Sequence, residues 1–114
     1  MLIFKICHRA EWEVAEREGV YHGSPKDSAD GFLHFSKADQ LPGTLSRYYA
    51  GGSDLVLVAV EASDLQNDLR FEASRDGALF PHLYGSLPLS AVRWTAPIGL
   101  NNDGTFTLPD EAGT

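Results

Sequence analysis

Leu55-Val56-Leu57-Val58-Ala59-Val60 is an unbroken apolar run, with Asp54 before it and Glu61 after it. A strand turns successive side chains to opposite faces, so a run without a polar face needs cover on both sides. Residues 54–60 therefore read as a central strand between two layers. Gly51 and Gly52 close the segment upstream. Ser63-Asp64-Leu65 reads as a short helical turn on the downstream side.

Working back from that strand, residues 37–49 read as a helix. Ser36 stands as its cap, and Pro42-Gly43 should bend or split it. Residues 31–36, Gly-Phe-Leu-His-Phe-Ser, read as a strand. Residues 22–31 hold two glycines, a proline, two serines and two aspartates, a composition that reads as a loop. Residues 9–18 carry Val14 and Ala15 at helical spacing and are followed by Gly19, a helix stop. Trp12 on that helix reads as a core anchor. Residues 2–7 alternate as a first strand, and Cys7 there reads as a half-buried strand residue.

Working forward, 69–72 reads as a strand and Ser74-Arg75-Asp76-Gly77 as a turn. Residues 79–84 are extended, 88–92 fit one helical turn, 92–100 fit a long strand and 105–108 a short one. Residues 110–114 should fray. Strands outnumber helices, and the order lacks the regular alternation of a doubly wound sheet. The expectation is one compact α+β domain over residues 1–114, with mixed or antiparallel sheets and two main helices.

The chain has 114 residues with 43% hydrophobic and 22% charged, enough for a core without staples. Cys7 is its one cysteine, which rules out an internal disulfide or a cysteine metal site. Net charge is −7, and the nine Lys and Arg residues form no cluster. A duplex nucleic-acid binder is not expected, because such proteins present a basic face. One arginine and a few amides still suffice for a small anion. Lys5 interrupts the N-terminal apolar run, so neither a signal peptide nor a membrane span is expected, and the expected location is the cytoplasm.

Chemistry concentrates in a few residues. Period-2 alternation puts His34 and Ser36 on one face of their strand, and His82 and Tyr84 on one face of theirs. Each segment thus presents a histidine followed two residues later by a hydroxyl, flanked by bulky apolar residues that could wall a pocket. Singly, each histidine also reads as an ordinary core residue. Together they point to one shared cleft, with Glu72 or Arg75 at its edge. Glu72 and Arg75 read equally as a surface ion pair or as a carboxylate and guanidinium on a pocket rim. No Gly-x-Ser-x-Gly elbow activates Ser24, Ser36 or Ser74. His8, His22, His34 and His82 lack metal-ligand spacing, so no metal is expected. Gly19, Gly23 and Gly31 do not make a dinucleotide fingerprint.

The runs Gly31-Phe32-Leu33-His34-Phe35-Ser36 and Phe80-Pro81-His82-Leu83-Tyr84-Gly85, with Ile3-Phe4-Lys5-Ile6, Glu11-Trp12 and Phe71-Glu72-Ala73-Ser74-Arg75, resemble domain-of-unknown-function family 952, small bacterial proteins. That family is more remotely similar to the ADP-ribosyltransferase-like fold. The resemblance implies packed sheets around a cleft that holds NAD in active relatives. It also implies a residue on the first strand, a hydroxyl before a helix and a glutamate on a later strand. Here Lys5 (or His8 just beyond it), Ser36 and Glu72 stand for these. Glu72 and His34 would then be catalytic, and Lys5, Ser36, Arg75, His82 and Tyr84 would bind the ligand. NAD would be a substrate, with no resident cofactor implied. The alternative is a module that binds a small ligand without chemistry.

Overall fold

The computed structural model describes residues 1–65, 67–74 and 77–113. β1 (Leu2–His8) leads into α1 (Arg9–Glu18), β2 (Val20–Tyr21), α2 (Pro25–Asp30) and β3 (Leu33–His34). A 3-10 turn, Ala38–Gln40, precedes α3 (Leu41–Tyr48) and β4 (Leu55–Glu61). A second 3-10 turn (Ala62–Leu65) leads to β5 (Leu69–Ala73), β6 (Leu79–Leu83), β7 (Leu87–Pro88), β8 (Val92–Leu100) and β9 (Phe106–Thr107). The sheets are ordered β1-β4-β8-β9, β2-β7 and β3-β6-β5. Every strand pair among the described residues is antiparallel.

β4 lies between β1 and β8, as its two apolar faces require. Val56, Val58 and Val60 pack in one cluster with Ile3, Trp12 and Leu33. Leu55, Leu57 and Ala59 pack in the other with Phe4, Leu41 and Leu45. Each of the buried Val, Leu, Ile and Phe side chains contributes about 1.5–3 kcal/mol relative to exposure. α1 keeps the bounds expected from sequence. Gly19, at φ 79°, takes the left-handed cap conformation, and its N–H donates to the Ala15 carbonyl.

Four expectations are corrected. The segment 22–31 is not all loop, because it contains α2. Ser24 Oγ accepts from the Asp27 amide and Asp27 accepts from the Ser24 amide, a capping box with Pro25 in the first turn. Among the described residues there are accordingly three α-helices, not two main ones. Ser36 does not cap the next helix. Its backbone makes a two-bond bridge to Phe4, so Lys37 takes the cap position. The break in that helix falls at Gln40, with Pro42 in the first turn of α3, as proline chemistry expects. Residues Asp110–Gly113 form a 3-10 turn with Ala112 buried in the second cluster. Cys7 is fully buried, not half-buried.

The Phe4–Ser36 bridge matters most for the site. Phe35 N–H donates to the Pro81 carbonyl, whereas Ser36 pairs with Phe4. Within two residues the chain leaves the β3-β6-β5 sheet and joins the edge of β1. The two sheets therefore diverge from this point, and the space between them is a cleft.

Candidate functional site

A cavity of about 260 Å³ occupies that divergence. Its lining includes Lys5 from β1, Asp27 and Asp30 from α2, Phe32 and His34 around β3, Ser36, Thr44 and Tyr48 near α3, and His82 from β6. The register puts His34 directly opposite His82, and Arg70 opposite His82 on the other side. Alternation then places Phe32, His34, His82, Tyr84, Arg70 and Glu72 on one face of the sheet. Leu33, Phe35 and Leu83 face the core instead. The apolar wall of the cavity is Phe4, Ile6, Phe32, Phe35 and Phe80, so of the apolar neighbours of the histidines only Phe35 is part of it.

Asp27 organises one side. Its carboxylate accepts from Lys5 Nζ at 2.8 and 3.0 Å, from the Ser24 amide at 2.8 Å, from the His34 amide at 3.1 Å and from His34 Nδ1 at 2.6 Å. The Lys5 and Asp27 side chains are 4% and 1% exposed. Burial alone would raise the Asp27 carboxyl. The His34 hydrogen bond, the Lys5 charge and bond, and the Ser24 amide outweigh burial and hold it well below the usual range near 3.8. His34 Nε2 lies 2.9 Å from Asp30 Oδ2. Ionised carboxylates only accept, so both His34 bonds form together only when each ring nitrogen carries a proton.

His82 sits differently. Its Nδ1 lies 2.8 Å from Glu72 Oε1, which also accepts from Tyr84 O–H at 2.7 Å. The Tyr84 and His82 bonds hold Glu72 below the usual carboxylate range, and the Glu72 bond raises the Tyr84 phenol. The Phe32 ring stacks on His82 with centroids 4.1 Å apart and planes at 25°. The His34 and His82 rings are 5.6 Å apart. Ser36 Oγ meets Thr44 Oγ1 at 2.9 Å, and Thr44 donates onward to the Gln40 carbonyl.

The family described as "Protein of unknown function (DUF952)" matches residues 6–95. The chain belongs to this family. The DUF952 match spans all of these polar residues except Lys5, one position before it. The crystal structure of protein CC0527 from Caulobacter crescentus is 46% identical over 100% of both chains, with a TM-score of 0.94. A double mutant of CC0527 gives 45% identity and the same score. The solution structure of CC0527 is 48% identical over 91% of this chain and 90% of that one, with a TM-score of 0.82. No match is found among curated proteins.

Of the residues singled out in sequence, this DUF952 chain brings Lys5, His34, Ser36 and His82 to the cavity wall. Glu72 and Tyr84 do not line it and reach it through His82. Arg75 lies outside the described residues. His8 is exposed and does not line the cavity, although its ring lies tilted against that of Tyr49, which does. Asp27, Asp30 and Phe32 were missed. The signal for Asp27 was the Ser24-Pro25-Lys26-Asp27 capping pattern, which announces a helix start and a carboxylate turned back toward it. No group of three His, Cys, Asp or Glu among the described residues is arranged for a metal ion. No helix among them is long and apolar enough to cross a membrane.

Proposed function

We propose that the cleft binds a nucleotide-like ligand, NAD or an ADP-ribosyl compound, and acts on it by ADP-ribosyl transfer or hydrolysis. The observation that carries this reading is the placement of two carboxylate-bound histidines, 5.6 Å apart, in a cavity walled by phenylalanines. Aromatic walls suit a base, and imidazoles with carboxylate partners suit ribose hydroxyls. The ADP-ribosyltransferase-like fold is part of this reading. It is supported by two sheets diverging around the cleft, with Lys5 on the first strand and Ser36 before a helix, both in the lining. Lys26, 5.5 Å from the Tyr48 ring, brings a cation to the lining for a phosphate.

The size of the cavity refines the proposal. Sites that enclose a drug-sized ligand run from about 300 Å³ upward. At about 260 Å³ this one holds a base or a ribose with a small leaving group. The remainder of a dinucleotide would lie across the open mouth. Breaking a base–ribose bond builds positive charge on the sugar, and a carboxylate beside it stabilises that charge. Glu72 Oε1 is occupied by His82 and Tyr84, which leaves Oε2 for this role.

One observation favours a second reading, a binding module without chemistry: Glu72 lies outside the cavity lining. Calorimetric titration with NAD, ADP-ribose and nucleoside phosphates tests binding, and silence at millimolar ligand refutes it. Nicotinamide release separates the two readings. Release that disappears in Glu72→Gln supports catalysis, and binding without release supports the module.

A further inference from the structure

The two histidines of the cleft are not equivalent, and their difference assigns roles. Both ring nitrogens of His34 face carboxylates, Asp27 at 2.6 Å and Asp30 at 2.9 Å. A carboxylate oxygen stands in front of each nitrogen, in the place a ligand atom would have to take. His82 has one carboxylate partner, on Nδ1, and Nε2 has no hydrogen-bond partner among the described residues. Its ring lines the cavity although the residue is only 5% exposed overall. Three contacts fix the ring: the register opposite His34, the Phe32 stack and the Glu72 bond.

We infer that His82 is the proton-accepting residue of the cleft, with Glu72 as its positioning residue, and that it acts on a hydroxyl, either water or an alcohol acceptor. A carboxylate accepts only an N–H, so in the neutral ring the Glu72 bond puts the proton on Nδ1 and leaves the lone pair on Nε2. Tyr84 holds Glu72 in place from the other side. His34 then serves as a fixed, tied ring that shapes the wall beside Asp27.

The identity of the ligand rests on the nucleotide reading above, whereas the state of the His82 ring does not. With NAD in the cleft, the hydroxyl oxygen forms a bond to the ribose carbon that carries nicotinamide. The carbon–nitrogen bond breaks, and its electron pair leaves with nicotinamide, which departs neutral. The hydroxyl proton passes to His82 Nε2 and from there to solvent. With water as acceptor the product is ADP-ribose, and with an alcohol it is the O-linked ADP-ribosyl compound. General-base assistance of this kind contributes about 10²–10⁴-fold.

Two measurements on the intact chain test this. Long-range proton–nitrogen NMR of the ¹⁵N-labelled protein reads the tautomer of neutral His82 without any ligand. The expected signature is a protonated Nδ1 and a bare Nε2, with the preference lost in Glu72→Ala. A protonated Nε2 in the wild type overturns the inference. Nicotinamide release from NAD is the second readout: His82→Gln should lower it about 100-fold or more, and His34→Gln by less than about tenfold, with calorimetric NAD affinity compared in parallel. Release that survives His82→Gln and fails in His34→Gln reverses the assignment. A bare Nε2 with no NAD binding rejects the nucleotide reading alone and leaves His82 as the reactive nitrogen of the cleft.

Discussion

Removing Asp27 should cost far more than removing Lys5, although the two form one ion pair. Asp27→Ala leaves the Lys5 ammonium buried, at 4% exposure, with no counter-charge. Deleting one partner of a buried pair costs about 3–5 kcal/mol, a large share of the roughly 5–15 kcal/mol that holds a small domain folded. The same change also orphans the Ser24 and His34 amides, which donate to this carboxylate. Lys5→Met is milder. Asp27 then still accepts from Ser24 N–H, His34 N–H and His34 Nδ1, so the buried charge keeps three donors. The loss is closer to one charged hydrogen bond, about 1.5–3 kcal/mol. Urea unfolding reads the difference as a shift in midpoint at constant slope. With a slope of about 1.5 kcal/mol per molar, Asp27→Ala should lower the midpoint by roughly 2–3 M. Equal losses for the two variants, or a loss below about 1 kcal/mol for Asp27→Ala, would refute the view that Asp27 organises this side of the cleft.

Because the folded chain holds the Asp27 carboxyl below 3.8, its contribution is fully present above that value and drains away as pH falls beneath it; acid unfolding of Asp27→Ala, followed by circular dichroism, should show a flatter limb in that window than wild type. Gly23→Ala should lose about 1–3 kcal/mol, read as a fall in Tm, because φ is 110° there and an added Cβ would meet Leu33 Cδ2 at 2.7 Å. An unchanged Tm would mean the loop shifts freely. Burial pushes the Cys7 thiol up to about 12, so a disulfide-exchange reagent at neutral pH should find no reactive thiol in the folded chain and one after unfolding in urea.

Much of the scaffold could be read from local chemistry. The run Leu55–Val60 has apolar side chains on both faces, and its shortness and its three valines favour a covered central strand over a buried helix. Gly19 ends α1 where a left-handed residue was needed. His34 with Ser36, and His82 with Tyr84, share faces because alternation is a property of any extended chain. Helix α2 was legible in principle through its capping box. Its six residues are, however, too few to show an apolar period, and their composition is that of a turn.

What the sequence by itself determined is the kind of element each segment forms and which of its side chains travel together. Those are set within a few residues, by backbone sterics and periodicity. Only the tertiary structure decided which segments meet. Pairing β3 with β6 in one register brings His34 opposite His82, and a slip by one residue would have turned one of them to the core. The same holds for the charges. Lys5 and Asp27 lie 22 positions apart, and each alone reads as a surface residue, because burying a single charge is prohibitive. Burial became tolerable only once the fold gave each the other as partner, and the need for amides from Ser24 and His34 around Asp27 then fixed where α2 lies over the cleft.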